Sequence, residues 1–167
     1  MTTLHAVRRD ALAPDTYERL LAIGAIILFV AVVAALAKGY PEWPRVPFEV
    51  WPHLITVMVA LALTPIQLLR RRGDRPHRLL GTIWVIAMIA TAALSFRVRE
   101  INDGGLSLIH LLSAFTLFAA PLAWWSARTH NIRVHRRAVR GLVTGALLVA
   151  GFFTFPFDRL LGHWLFG

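Results

Sequence analysis

The sequence predicts an all-α integral membrane protein: a bundle of five transmembrane helices, four forming a core and the first lying outside it, with the N-terminus inside and the C-terminus outside. Three observations predict this. Apolar residues make up 57% of the 167, above the roughly 45–50% of soluble domains. They fall in five runs of 17–21 residues, each near the ~20 that cross a bilayer as a helix. The net charge of +9 is carried by two alternate loops, +4 over residues 70–78 and +5 over 127–140. Basic loops of a membrane protein stay on the cytoplasmic side, so this charge reads as a topology signal and not as a nucleic-acid footprint. The absence of cysteine excludes disulfides, thiolate metal sites and a cysteine nucleophile.

Residues 1–19 form a cytoplasmic leader with three basic and three acidic groups. The first span, 20–37, has no polar side chain and reads as peripheral. Its Ala35-Leu36-Ala37 resembles a signal-peptidase site, but the apolar run exceeds the ~7–15 residues of a signal core, and acids precede it. A retained helix is the expectation. The second span, Val50–Leu69, carries His53 near its outer end. Thr56, Ala60, Thr64 and Gln67 follow at helical spacing, a small and polar stripe that should face the bundle.

Asp74-Arg75-Pro76 reads as a helix start with proline in the first turn. It places His77 at the inner end of the third span, Leu79–Phe96, with Gly81, Trp84, Met88, Thr91 and Ser95 following on its face. The fourth span, 106–126, carries His110 near its outer end, with Ser113 and Ala114 nearby. His135 lies at the inner end of the fifth, 141–157, whose Gly141-x-x-x-Gly145 is a close-packing pattern. Residues 50–157 would form the four-helix core and 158–167 an outer tail.

The histidine spacings repeat. His53 to His77 is 24 residues and His110 to His135 is 25; His53 to His110 is 57 and His77 to His135 is 58. The core therefore reads as two similar helical hairpins, with His53 and His110 at one depth and His77 and His135 at another. Two imidazole pairs at two depths suit two b-type haems. Such a site needs an apolar slot, small residues to admit the macrocycle and cations for the propionates. Gly81, Gly141 and Gly145 are the small residues; Arg78 and Arg136 are among the cations near the inner pair, with Arg45, Arg97 and Arg99 near the outer one.

Plainer readings stand beside this one. A histidine at a helix end can hydrogen-bond lipid, water or a carbonyl, and for His77 and His135 this reading is strong. His53 and His110 lie deeper, where an ionisable group is a functional candidate. His130 is an inner-site alternative to His135. Trp43, Trp51, Trp124, Trp125 and Trp164 fit an interfacial aromatic belt. No carboxylate lies inside a span, no HExxH occurs, Ser107 and Ser113 beside His110 lack an acid partner, and no glycine-rich phosphate loop is present.

From His77-Arg78-x-x-Gly81, through His110 and Asn131–Arg137 (NIRVHRR), to Phe153-Thr154-Phe155-Pro156 with Arg159, the chain resembles an uncharacterised bacterial family of multi-helix membrane proteins known only as a domain of unknown function. The resemblance covers about residues 50–161 and implies a membrane protein with no assigned activity. The histidine layout also resembles the two-haem transmembrane b-type cytochromes of the ascorbate-dependent type. That resemblance implies haem held by alternate-helix pairing, with the first helix outside the core. The chain departs from it in lacking a sixth helix and a donor-binding motif, and in holding its inner histidines at the very helix ends.

The expectation is a multi-pass cytochrome b of the bacterial inner membrane. It would hold one or two b-type haems on His53, His110, His77 and His135. Its partners would be the lipid bilayer and a quinone, a protein redox partner or a larger membrane complex, and no nucleic acid. The alternatives are a cofactor-free accessory subunit docked on a larger complex, and a small transporter or quinone-binding protein using His110 and Gln67.

Overall fold

The computed structural model describes residues 13–70, 72–97, 108–156 and 159–167. Arg99, Ser107 and most of the leader lie outside the described residues. The described residues contain helices and no strand.

Helix α1 (Thr16–Lys38) starts four residues before the apolar run. Asp15 caps it: the Asp15 carboxylate accepts the Glu18 amide at 3.0 Å, and the Glu18 carboxylate accepts the Asp15 amide at 3.1 Å. Each side chain satisfies an amide that the first turn leaves without a helical partner. The Gly39 amide closes the other end on the Ala35 carbonyl, and a 3-10 turn (Tyr40–Arg45) follows.

Helix α2 (Val50–Leu69) leads through a short turn to α3 (Arg75–Ser95). Asp74 accepts the His77 amide at 2.7 Å and Pro76 sits in the first turn, the start that the sequence predicts. Helix α4 (Leu108–Arg128) and helix α5 meet at an abrupt corner. His130 turns it with a φ of 57°, and Asn131 caps α5 by accepting the Val134 amide at 3.3 Å. Helix α5 is α-helical over Ile132–Gly141, π-helical over Leu142–Val149 and α-helical again over Ala150–Phe152. Eight residues of π geometry are a long departure from the α ladder. A short helix α6 (Leu160–Phe166) ends the chain.

Neighbours in sequence pack as neighbours in space: α1 on α2, α2 on α3, α3 on α4, α4 on α5. The ring closes because α1 also packs on the π segment of α5 and on α6. The sequence reading sets the first helix outside a four-helix core; the packing makes it a fifth member of the ring. Small residues explain the close approach. Leu148 lies against Gly24, Leu28 lies against Gly151, and Ala22, Ala25 and Ala35 are fully buried. Alanines at 60, 119, 120 and 123 are likewise buried, as expected where helices associate by contact of small side chains.

The outward faces are apolar. Leu20, Ile23, Ile27 and Val30 run as a stripe along α1, Ile83 and Ile86 lie on α3, and Leu111 and Phe118 on α4, all exposed. A contiguous apolar surface of this kind is stable against lipid and not against water. Helices α1, α2 and α3 are each long and apolar enough to cross a membrane, and α4 has 21 residues.

The end bearing the α2–α3 and α4–α5 turns is called inner below, and the opposite end outer. Helix α6 covers the outer end. Trp164 lies flat against Gly39, its indole N–H donates to Glu42 at 3.2 Å, and Lys38 donates to the Leu165 carbonyl at 2.6 Å. Gly162 meets backbone: a Cβ there would sit 1.7 Å from the Phe155 carbonyl oxygen. Gly162→Ala is therefore expected to undock α6 and lower the melting temperature by about 2–12 °C, the equivalent of an overpacking cost of about 1–3 kcal/mol. An unchanged thermal melt would contradict this packing.

Candidate functional site

The fold brings the four histidines together in two pairs at two depths. His53 of α2 and His110 of α4 line one cavity in the outer half of the bundle, with a volume of about 320 Å³. His77 of α3 and His135 of α5 line a second, inner cavity of about 40 Å³. Helices α2 and α4 are not packing neighbours; they contribute their histidines across the outer space. Fourteen residues of α3 separate His77 from Thr91, the outer contact of His53, so at ~1.5 Å per residue the two layers lie about 21 Å apart. Leu61, Met88 and Trp84 fill the layer between them and are buried.

At the outer site the His53 ring is fixed by α3. Its Nδ1 lies 3.0 Å from the Thr91 carbonyl oxygen. A carbonyl only accepts, so Nδ1 carries the proton and Nε2 keeps its lone pair. The Thr91 hydroxyl donates to Thr56 at 2.9 Å, and Thr56 donates to the His53 carbonyl at 2.8 Å. These three bonds close a loop between α2 and α3 that holds the ring's rotation. The same device recurs at the inner site, where His135 Nδ1 donates to the Ala123 carbonyl at 2.9 Å. Donation of one ring nitrogen to a carbonyl orients and strengthens the other as a ligand.

His110 is buried, 5.4 Å centroid to centroid from the Phe96 ring. Beside it, the Ser95 and Ser113 hydroxyls are 2.6 Å apart. The rest of the outer cavity wall is mostly apolar, with the hydroxyls of Thr116 and Thr154, small residues at Ala92, Ala146, Ala150 and Gly151 and, among the described residues, one cation, Arg159. Trp51 and Trp164 stand on its outer side. The π segment of α5 supplies Ala146 and Leu147 to this wall.

The inner cavity mixes polar and apolar side chains, with Leu68, Val139 and Val143 on its wall. Thr64, Gln67, His77, His135, Glu18, Arg72 and Arg136 line it with Trp84. The Trp84 indole donates to Thr64 at 2.9 Å, and Thr64 donates to the Ala60 carbonyl at 2.7 Å. Glu18 is 2% exposed and anchors an ion cluster. It pairs with Arg72, with Arg136 at 3.0 Å and with Arg140 at 3.2 Å, while Asp15 pairs with Arg136 at 3.2 Å and with Arg140. Arg72 also donates to the Ala13 carbonyl at 3.0 Å. Two acids of one helix start thus bind arginines from both basic turns.

The remaining expected site residues divide. Arg136 lies by the inner pair, engaged by these carboxylates. Arg78 is exposed on α3 and does not line the cavity. Gly81 faces Gln67, whose Oε1 lies 3.6 Å from where a Cβ would stand. Gly141 and Gly145 face Phe115 and Leu112 of α4, so their space is filled by those side chains. His130 is exposed at the α4–α5 corner, and His135 occupies the inner wall in its place. Arg45 and Arg97 do not line the outer cavity, where Arg159 takes the cation's position. The Asp15–Glu18 cluster was missed by the sequence reading, although Asp15-Thr-Tyr-Glu18 has the spacing of a capping box.

Chemically, the two cavities differ. Among the described residues, no three His, Cys, Asp or Glu side chains converge on a metal position. A pair of imidazoles suits a metal whose other ligands come from a macrocycle. The outer cavity fits such a group: two histidines, one with its tautomer set for ligation, an apolar wall, a cation, and a volume within the ~300–1,000 Å³ of organic-ligand sites. The inner cavity, at about 40 Å³, does not fit one.

Residues 50–155 match the family described as predicted membrane protein (DUF2306), and the chain belongs to that family. No curated protein and no solved structure matches the chain. The chain is a membrane protein with transmembrane helices.

Proposed function

For this member of an uncharacterised membrane family, we propose a cytochrome b that holds one b-type haem between His53 and His110 and passes electrons within or across the bacterial inner membrane. One observation carries the reading: histidines from two helices that are not packing neighbours meet on one apolar cavity, and the His53 ring is held with Nε2 free to ligate. When bound, the haem supplies one-electron redox chemistry. The protein's part is to hold it. The Thr91 carbonyl orients His53, the largely apolar wall would limit water around the group, and Arg159 would balance the charge of its propionates. The electron partner is a quinone or a second redox protein.

The proposed topology has five spans, α1 to α5, with the N-terminus inside and the C-terminus outside. The +4 and +5 turns support it, since both lie at one end of the bundle and basic turns stay on the cytoplasmic side.

Hemin titrated into haem-depleted protein is expected to give a low-spin Soret band that saturates at one equivalent per chain. Unsaturable, high-spin uptake would contradict the bis-histidine site. A colourless chain that co-purifies with a stoichiometric membrane partner would replace this reading with that of an accessory subunit.

A further inference from the structure

We propose that the inner histidine pair encloses a buried hydration site, in which water bridges Gln67 and His77. Gln67 is 8% exposed and lines the inner cavity. Its Nε2 has no hydrogen-bond partner among the described residues, and neither has Nδ1 of His77 on the same cavity. Leaving a buried amide donor and an imidazole nitrogen dry is costly. The neighbouring groups do not relieve them. The Trp84 indole is spent on Thr64, and His135 Nδ1 is spent on the Ala123 carbonyl.

The space matches water. One water needs ~10–15 Å³ of such volume, so about 40 Å³ holds roughly three or four. A buried water makes about three hydrogen bonds to polar groups otherwise unsatisfied. Gln67 Nε2 and His77 Nδ1 supply two. A second macrocycle finds no room: the volume is far below the ~300 Å³ of the smallest organic-ligand sites, and the amide of Gln67 occupies the side of Gly81 that would have admitted it. The site does not rest on the outer haem.

An experimental structure of the full chain at a resolution that shows water tests this. It is expected to show solvent density ~2.7–3.2 Å from both Gln67 Nε2 and His77 Nδ1. An empty cavity, or a planar macrocycle between His77 and His135, would overturn the proposal. Gln67→Leu provides a solution test. With water present, the variant strips a partner from it and from His77, and the melting temperature falls by about 2–6 °C. In a dry cavity the variant removes an orphaned amide, so an unchanged or raised melting temperature overturns the hydration site. Haem content per chain is expected to be the same in His77→Phe as in the wild type, and loss of one equivalent would assign the inner pair to a haem. If the wild type binds no haem, the outer reading fails, while the density and the melt still decide the inner site.

Discussion

Glu18→Ala is expected to destabilise the full chain by about 3–5 kcal/mol, which lowers the melting temperature by about 6–20 °C. Glu18 is the buried centre of the inner ion cluster, and removing it takes a carboxylate partner from Arg72, Arg136 and Arg140 at once. Breaking a buried ionic network by removing its central partner strands like charges out of bulk water, so the effect far exceeds that of a surface pair. The same substitution removes half of the capping box that starts α1. Arg70→Ala breaks an exposed i,i+4 pair with Asp74 at 3.2 Å and is expected to change stability by less than about 1 kcal/mol. Equal thermal melts for the two variants would contradict the account of the cluster.

Acid should loosen the same clamp. The Asp15 carboxyl, outside the membrane-spanning segment, is held below the usual carboxylate range by the Glu18 amide first, which burial opposes, and then by the Arg140 and Arg136 guanidiniums. A carboxyl depressed in the folded state stabilises fully above its ordinary pKa. That stability is lost as pH falls through the folded value, so detachment of α1 is expected on acidification and not on raising pH.

His53→Ala and His110→Ala are each expected to abolish haem binding at the outer site, with loss of the Soret band. Each removes one of the two protein ligands proposed for one iron, and the remaining imidazole stands across a 320 Å³ cavity from an empty wall. His130→Ala is expected to retain full haem content, because His130 is exposed at the α4–α5 corner. Full haem content in His110→Ala would remove the ligand assignment, and haem loss in His130→Ala would relocate it.

Much of this arrangement is legible in the residues. Helix periodicity and spacing are local quantities, and they put His53 and His110 at one depth and His77 and His135 at another before any packing is known. The Asp74-Arg75-Pro76 helix start is legible for the same reason, since capping depends on the adjacent residues. What is not legible is long-range. Arg136 reads as a cation for a cofactor because nothing near it in sequence shows that Asp15 and Glu18, more than 100 residues earlier, reach it. Counting the leader as neutral hides that its acids serve the basic turns. The slots at Gly81, Gly141 and Gly145 are filled by Gln67, Phe115 and Leu112 from neighbouring helices, which no single-helix pattern reports. The π geometry of α5 and the docking of α6 over the outer cavity likewise arise from packing.

The central claim is that the outer pair binds haem. The most direct measurement is the absorption spectrum of the full chain purified from haem-replete cells. A Soret band and a b-type reduced-minus-oxidised difference spectrum at one haem per chain are expected; a folded but colourless protein would contradict haem binding by the outer pair.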